Sequence, residues 1–372
     1  MKIKYNDLYN FHSQIEKILF NNFKKLLRNS NFIGGPEVRK FEKNFRKLND
    51  SKFCVSCANG SDALVIALKA LNLKPGDEVI TTSLSWIATS AAITMAGGNV
   101  KFCDIESDGF NIDVKLIEKK ISKKTVGIIP VHLYGIPADM KKIVKIAKKY
   151  NLWIIEDCAQ AHFAEINGKK VGNFGHFGTY SFFPGKNLGA LGDAGCLVTN
   201  KKYLAKKARL ISNHGGKGMH LLEGMNSRMD SIQASFLNEK LKFISRQNYK
   251  RIKNSKIYFK ELKKNQNIKL PKILNDNKNV FHQFVIKTKT RDKLKNFLKK
   301  NGIETQIHYK QILPLMMAYK RFKYSKKDFP NSYIASKEIL SLPVSNDKNQ
   351  KTIKYITNII NKFKKNENKK KI

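Results

Sequence analysis

The sequence has few acidic residues, few cysteines and no long apolar run. Only 29 of its 372 residues are aspartate or glutamate, against 71 lysines and arginines, so its formal net charge is +42. Its five cysteines are an odd number, which argues against a disulfide framework. No uncharged apolar stretch is long enough to span a bilayer, and the first thirty residues lack the apolar centre of a signal peptide. We expect a cytoplasmic protein without a membrane partner.

The excess of lysine is dispersed. Lysines occur from Lys2 to Lys371, and pairs such as Lys141-Lys142 recur where a helix would show its polar face. A recognition motif and interleaved aromatic residues, which mark many nucleic-acid-binding proteins, do not accompany the charge. We therefore expect no nucleic-acid partner, although a basic surface would attract anionic small molecules.

Two cysteine-containing segments have alternative interpretations. The Cys-x-x-Cys pair Cys54 and Cys57 is either a redox or zinc half-site or part of a buried strand, where cysteine packs as a small hydrophobe. No second pair follows it, which favours the strand. A metal site made from Asp157, Cys158 and His162 lacks a complete ligand set, so we predict no metal.

Apolar strands alternate with helices through the first half of the chain. Strands are predicted at 78–82, 99–104, 126–131 and 152–155, with a helix opened by Trp86 and helices at 113–121 and 140–150 between them. This alternation predicts right-handed βαβ units and a mostly parallel sheet with helices on both faces. The fold class is therefore α/β.

The most informative segment is Thr-Tyr-Ser-Phe-Phe-Pro-Gly-Lys-Asn-Leu-Gly-Ala-Leu-Gly-Asp-Ala-Gly, from Thr179 to Gly195. It places Lys186 among small and apolar residues, where a lysine deprived of water loses its proton more easily. A neutral lysine amine condenses with an aldehyde to form a Schiff base, which is how pyridoxal phosphate is held in its enzymes. Ser181, upstream, could hydrogen-bond a phosphate. The alternative is a buried glycine-rich loop with an incidental lysine.

The segment resembles the cofactor-lysine segment of the DegT/DnrJ/EryC1/StrS family of sugar aminotransferases. The turn Gly34-Gly35-Pro36-Glu37-Val38 and the closing Ser341-Leu342-Pro343 are also similar to the family. The resemblance implies a fold-type I enzyme that binds pyridoxal 5'-phosphate. We expect these parts in chain order: a large α/β domain at 1–240 with a helix at 8–28 that packs on the small domain, a small C-terminal α+β domain at 241–364, and a disordered basic tail at 365–372.

Two polar segments follow predicted strands. Gly60 and Ser61 open a helix whose N-terminal amides suit a phosphate, although an ordinary helix capped by Ser61 is the alternative. Asp157 ends another strand, at the sheet edge where open α/β sheets bind ligands. A carboxylate there can pair with the protonated pyridine nitrogen of the cofactor. Glu156 would point to the opposite face, because successive side chains of a strand alternate.

The resemblance implies roles for further residues. Trp86 would stack on the pyridine ring, unless it is a core tryptophan, and Gln160 would contact the ring hydroxyl. Asn226 would reach across a dimer interface to the cofactor phosphate of the neighbouring subunit, so two chains would build each site. Three residues are expected on the substrate side, namely His162, His308 and Tyr309. For His162 the alternative is a structural histidine.

The resemblance also implies the reaction. An amino group would move from L-glutamate to a keto group of a dTDP- or UDP-linked sugar, for amino sugars of surface polysaccharides such as O-antigen. The form Lys-Asn-Leu-Gly-Ala-Leu-Gly-Asp looks more like the branch that aminates carbon 3 than the carbon 4 branch. A hypothesis from another class is a regulator that binds the cofactor, or a basic nucleic-acid-binding protein.

Overall fold

The computed structural model describes residues 2–274 and 276–369, with side chains up to residue 363. Its strands, in chain order, are β1 (Phe53–Cys57), β2 (Glu78–Thr82), β3 (Asn99–Cys103), β4 (Thr125–Ile129), β5 (Trp153–Asp157), β6 (Glu165–Ile166), β7 (Lys169–Lys170), β8 (Phe177–Ser181), β9 (Gly195–Thr199), β10 (Asn277–Lys278), β11 (Phe284–Lys287) and β12 (Ile339–Leu342).

The helices begin where the sequence offers caps or a first-turn proline. Asn59, Asp113 and Asp139 each accept a hydrogen bond from a first-turn amide, and Pro36 is the first residue of its helix. In chain order the helices are α1 (Leu8–His12), α2 (Glu16–Asn29), α3 (Pro36–Leu48), α4 (Gly60–Ala70), α5 (Ala88–Met95), α6 (Val114–Lys120), α7 (Met140–Lys149), α8 (Lys202–Ile211), α9 (Ser231–Leu241), α10 (Ile244–Leu262), α11 (Arg291–Lys300), α12 (Pro330–Glu338) and α13 (Gln350–Lys369).

The central sheet has seven strands in the order β1-β9-β8-β5-β4-β2-β3. Neighbours from β8 to β3 run parallel, whereas β9 runs antiparallel to both β8 and β1. The predicted mostly parallel α/β sheet is confirmed. The carboxyl ends of β2, β5 and β8 lie at one edge, because parallel strands share their direction, and that edge carries the site described below.

Helices cover both faces of the sheet. One hydrophobic cluster joins α4, α5 and α8 to the sheet, and two others lie against α6 with α7 and against α3 with α9. Cys57 belongs to the first of these clusters and Cys54 to the α3–α9 cluster, so the two thiols lie on opposite faces of β1. All five cysteines are buried and free, and the Cys-x-x-Cys pair is part of a core strand.

Several predicted boundaries differ in the structure. The helix expected at 8–28 is interrupted between α1 and α2, and α2 packs on α9 rather than on the C-terminal elements, because Ile15 and Leu19 bury their side chains against Phe236. It is Ile3 that joins the C-terminal hydrophobic cluster of α10, α11, α13, β11 and β12. The tail expected to be disordered continues α13 to residue 369, and 370–372 lie outside the described residues.

Phe45 of α3 supports the strand that leads into the lysine segment. It is fully buried, and its ring centroid lies 5.0 Å from that of Tyr180 and 5.4 Å from that of Phe182. We predict that Phe45→Ala lowers the free energy of unfolding by about 3–5 kcal/mol, because it leaves a cavity in this aromatic cluster. Urea unfolding followed by circular dichroism measures the change. Leu48→Ala, at a half-exposed position of the same helix, is the control and should cost less than about 1 kcal/mol.

Candidate active site

A cavity of about 780 Å³ opens at the carboxyl edge of the central sheet. The N-terminus of α4, the loop after β2, the ends of β5 and β8, and several C-terminal segments form its walls. It brings together most of the residues expected at the site, namely Gly60, Ser61, Trp86, Asp157, Gln160, Ser181, Lys186, His308 and Tyr309.

The loop that carries Lys186 connects β8 to β9 and is tightly hydrogen-bonded. The Lys186 N–H donates to the carbonyl of Phe183 at 2.9 Å, and the Ala190 N–H donates to Phe182 at 2.7 Å. The Asn187 side chain donates to Asn248 of α10 at 2.9 Å. A Cβ at Gly189 would lie 2.2 Å from the carbonyl oxygen of Pro184, so this turn requires glycine. These contacts hold the lysine backbone in place.

The Lys186 side chain is half-buried at the wall of the cavity. Burial lowers the pKa of its amine from 10.5 to about 8, and the charge of Asp157 opposes this shift. The neutral fraction near neutral pH is therefore larger than that of an ordinary lysine, which favours a nucleophilic amine. The composition of this segment predicts that Lys186 is shielded from water, and burial is the main cause of its lowered pKa.

Asp157 ends β5 and is held in place by two hydrogen bonds. Thr89 Oγ1 donates to Oδ2 at 2.8 Å, and the Ala159 N–H donates to Oδ1 at 3.1 Å. Thr89 lies in the first turn of α5, which follows β2, and is buried. Sequence reasoning missed Thr89, because nothing in its local pattern distinguishes it from the other hydroxyl residues of this helix.

Glu156 points to the other side of the strand, as alternation requires. It accepts backbone hydrogen bonds from Gly172, Phe174 and Gly175 at 2.7–2.8 Å, and His132 Nε2 lies 3.1 Å from its Oε2. Glu156, His132 and Cys158 place possible ligand atoms within 4.8 Å of one another. These donors already saturate the Glu156 carboxylate. The three residues therefore stabilise the fold through hydrogen bonds and do not suit a metal.

The N-terminus of α4 and Ser181 form a cradle suited to a phosphate. Asn59 caps the helix by accepting from the Asp62 N–H at 2.8 Å, so Ser61 is not the cap. Among the described residues, the Ser61 hydroxyl has no hydrogen-bond partner. A Cβ added at Gly60 would lie 2.5 Å from the Cβ of Ser181, so glycine lets the two segments meet. First-turn amides and the hydroxyls of Ser61 and Ser181 are therefore the donors that a bound phosphate would need.

Gln160, Tyr309 and Trp86 form the wall beside Asp157. Gln160 Oε1 accepts from the Tyr134 N–H at 2.7 Å, and its Nε2 donates to the Tyr309 hydroxyl at 3.0 Å. The Trp86 ring centroid lies 5.9 Å from that of Tyr309, and Trp86 is 59% exposed. Trp86 precedes α5 by two residues and faces the cavity, so the alternative of a core tryptophan is wrong.

His308 lies on the C-terminal side of the cavity. Its Nδ1 is 2.8 Å from the Ser341 hydroxyl. Burial, with a smaller contribution from the charge of Lys186, lowers the pKa of His308 to about 4, so the ring is neutral at physiological pH. A neutral imidazole at this place can accept or donate one hydrogen bond without adding positive charge.

Two expected residues do not line the cavity. His162 is fully buried between the rings of Tyr180 and Phe182, each 5.6 Å away, and burial lowers its pKa to about 3. The expectation that it lies on the substrate side is wrong, because the chain turns its ring into the α3–α9 core. Asn226 is exposed and outside the cavity of its own chain. Its neighbour Ser227 donates to Asp62 at 2.7 Å, so this segment lies against the start of α4.

These features fit pyridoxal phosphate. Its phosphate matches the cradle at Gly60, Ser61 and Ser181, its aldehyde matches the Lys186 amine, and its pyridine nitrogen matches the Asp157 carboxylate. Fold and site together define the class of pyridoxal-phosphate-dependent transaminases. Within the described residues, no helix is long and apolar enough to cross a membrane.

The chain belongs to the DegT/DnrJ/EryC1/StrS aminotransferase family, whose model matches residues 13–361. Three relatives are similar over most of their length. A pleiotropic regulatory protein of Geobacillus stearothermophilus is 40% identical over 98% of this chain and 99% of its own. A dTDP-3-amino-3,6-dideoxy-alpha-D-galactopyranose transaminase of Aneurinibacillus thermoaerophilus is 37% identical over 97% and 99%. A UDP-N-acetyl-3-dehydro-alpha-D-glucosamine 3-aminotransferase of Acidithiobacillus ferrooxidans is 37% identical over 90% and 91%.

Solved structures agree with this assignment. DesV of S. venezuelae superposes with a TM-score of 0.95 at 32% identity, covering 98% of each chain. The Bacillus subtilis protein NtdA, solved with bound cofactor PMP, has a TM-score of 0.87 at 29% identity, covering 96% of this chain and 85% of its own. The protein is therefore a transaminase that uses pyridoxal phosphate.

The lowered pKa of Lys186 predicts an unusual pH dependence of its reactivity. In protein freed of cofactor, acetylation of Lys186 by acetic anhydride should reach half its plateau rate near pH 8, because the neutral fraction rises through that pKa. An unperturbed lysine titrates near about 10.4. Peptide mass spectrometry across a pH series measures each lysine in the same sample.

Asp157→Asn should move the Lys186 midpoint to lower pH, because it removes the negative charge that raises this pKa. Glu118→Gln, which neutralises an exposed carboxylate on α6, is the control and should leave the midpoint unchanged. A wild-type midpoint near that of ordinary lysines would contradict the desolvation of Lys186.

Proposed function

We propose that the enzyme transfers an amino group from L-glutamate to a keto group at carbon 3 of a dTDP- or UDP-linked sugar. The observation that carries the proposal is the Lys186 amine, with its lowered pKa, in one cavity with Asp157 and the cradle of α4. The names of two relatives, which act at carbon 3 of such sugars, support the substrate class and the position. A 4-aminotransferase of the same family is the alternative within this class.

When bound, pyridoxal phosphate supplies a ring that withdraws electrons from the carbon bearing the amino group. The residues of this chain then have distinct tasks. Lys186 Nζ would hold the cofactor, and its free amine would accept the proton of the substrate carbon and return it. Asp157, fixed by Thr89, would keep a proton on the pyridine nitrogen. Gly60, Ser61 and Ser181 would bind the phosphate, and Trp86 would lie against the ring face.

The remaining polar residues of the cavity would position the substrates. Gln160 would donate to the ring hydroxyl, and His308 and Tyr309 would contact the sugar. The dispersed lysines give the whole surface a positive potential, which would attract both a dianionic sugar nucleotide and glutamate. The product class suits amino-sugar synthesis for surface polysaccharides such as O-antigen, in the cytoplasm.

The enzyme would act as a homodimer with shared sites. Asn226 is exposed, lies outside the cavity of its own chain, and belongs to a segment anchored at the start of α4 through Ser227. A symmetric partner could therefore place its own copy of this segment against the phosphate cradle, and each chain would supply Asn226 to the other.

Lys186→Ala tests the transamination half-reaction. Wild-type protein with pyridoxal phosphate should show a visible absorption band that bleaches when L-glutamate is added. The variant should lose the lysine-dependent band and the response to glutamate, because no other described amine of the chain lines the cavity close to Asp157. Single-turnover rates with glutamate should fall by at least about 10⁴-fold, as expected when a residue that is both attachment point and base is lost.

Lys123→Ala removes an exposed lysine and is the matched control for loss of one amine. It should keep both the band and the bleaching. Wild-type protein that stays colourless with added pyridoxal phosphate would refute the proposal. Bleaching by glutamate followed by amination at carbon 4 would leave the class intact and correct the position.

Shared sites predict complementation between two inactive variants. Lys186→Ala and Asn226→Ala homodimers should each be weak, whereas a 1:1 mixture reassembled from subunits should recover up to about a quarter of wild-type activity. Half of the dimers would then be mixed, and each would contain one intact site. Activity of a purified mixed dimer no higher than the mean of the two parents would show that Asn226 does not serve the neighbouring site.

A regulatory role is the second candidate, and the name of the Geobacillus stearothermophilus relative favours it. Regulation by a bound cofactor needs neither turnover nor a proton-accepting lysine. Repeated turnover of sugar and glutamate, measured by amino-sugar formation, separates the two, since a regulator that only binds the cofactor would give at most one equivalent of product.

A further inference from the structure

Arg251 is a buried cation in the cavity that the tasks assigned above do not use. It lies on α10, is 4% exposed, and donates from Nη1 to the carbonyls of His282 at 3.1 Å and Phe281 at 3.4 Å. No carboxylate of the described residues forms an ion pair with it. The acid that acts on its charge, Asp347, is already engaged with Lys348 and Ser345. Burial lowers the pKa of Arg251 to about 10, so it remains charged at neutral pH.

A buried charge without a counter-ion is costly, and among the described residues only Nη1 of Arg251 has hydrogen-bond partners. The two carbonyl contacts fix one side of the planar guanidinium and leave the other donors for a ligand. Such a fork matches the two oxygens of a carboxylate. The site is therefore built for an anion that arrives with a substrate.

A second unsatisfied group lies beside it. The Tyr5 hydroxyl, at the N-terminal end of the chain, is buried in the same cavity wall and meets no partner in hydrogen-bonding geometry. The nearby Ser341 hydroxyl is engaged with His308 Nδ1. Burial raises the pKa of Tyr5, and the nearby Ser341 hydroxyl and the charge of Arg251 each counteract part of this rise. A tyrosine and an arginine without a carboxylate partner thus line the same cavity.

The position of Arg251 favours a small carboxylate over a diphosphate. Arg251 Nη1 donates to the His282 carbonyl at 3.1 Å, and His282 Nδ1 lies 3.2 Å from Oδ1 of Asn187, the residue after Lys186. Arg251 and Lys186 therefore line the same cavity and are linked through His282 and Asn187. A carboxylate on the same molecule as a reacting amine can bridge these two residues. The diphosphate of a sugar nucleotide is separated from its keto carbon by a sugar ring and carries charge that favours solvent, whereas Arg251 is almost fully enclosed.

We propose that Arg251 and Tyr5 form the subsite that binds a carboxylate of the amino donor and thereby selects an amino acid as the donor. This inference rests on the proposed function, because it assigns the donor side of the same cavity. Arg251 supplies charge and bidentate geometry, and Tyr5 supplies one further O–H donor. Both are binding residues, and neither takes part in proton transfer.

Binding of glutarate, which has the two carboxylates of glutamate but no amine, tests the subsite without turnover. Isothermal titration calorimetry on the holoenzyme should show that Arg251→Gln raises the glutarate Kd at least about tenfold, since a charge-assisted pair is lost. Tyr5→Phe should raise it severalfold, and Arg251→Lys should lie between wild type and Arg251→Gln, because it keeps the charge and loses the fork. Arg246→Gln, at an exposed position of the same helix, is the matched control and should not change it.

Inorganic pyrophosphate is the second probe and distinguishes the two sources of an anion. Its Kd should change less than about twofold in Arg251→Gln. Loss of pyrophosphate binding with unchanged glutarate binding would overturn the proposal and assign Arg251 to the sugar nucleotide. An unchanged glutarate Kd in both Arg251→Gln and Tyr5→Phe, or no glutarate binding by wild type, would also overturn it.

Two further readouts separate folding and function from the subsite. If circular dichroism shows that Arg251→Gln is unfolded, Tyr5→Phe and Arg251→Lys decide the outcome. Wild-type bleaching by L-glutamate reports the proposed function by itself. If wild type bleaches and folded Arg251→Gln bleaches with the same dependence on glutamate concentration, the subsite is refuted and the transaminase assignment stands. Absence of bleaching in wild type would refute the proposed function.

Discussion

The opposition between burial and charge at Lys186 is the constraint around which the site is arranged. Burial favours the neutral amine, and the Asp157 carboxylate in the same cavity favours the charged one, so the pKa falls only to about 8. A deeper position would hold the amine permanently neutral, and a wetter one would keep it protonated. The aromatic cluster of α3 beneath β8 and the closed turn at Gly189 fix the lysine at this intermediate depth.

The parallel sheet makes this balance possible. Its carboxyl edge presents the ends of β2, β5 and β8 side by side, so Thr89 after β2 can orient Asp157 at the end of β5. Strand β9 pairs antiparallel with both β8 and β1, and β1 leads into α4, so the amides at the start of α4 lie beside the end of β8. A close approach that only glycine permits, between Gly60 and Ser181, completes the cradle.

The C-terminal elements close the cavity with a different chemistry. The large sheet and its loops supply the lysine, carboxylate and hydroxyls, whereas α10 and the loops beyond it supply Arg251, His282 and His308. The three have no ion pair with a carboxylate among the described residues, and burial keeps the two imidazoles neutral. One positive group therefore remains to recognise an anion, in a protein whose many other cations lie at its surface.

The sequence by itself determined the α/β class, the lysine segment and most of the cavity residues, because apolar periodicity and a long local motif act within a few neighbouring residues. The roles of those residues remain proposals. Only the tertiary structure decided where α2 packs, that His162 turns into the core, and that Thr89 supports Asp157. It also placed Tyr5 and Arg251, almost 250 positions apart, in one wall. Such pairings depend on contacts between distant segments, and no local pattern of side chains encodes them.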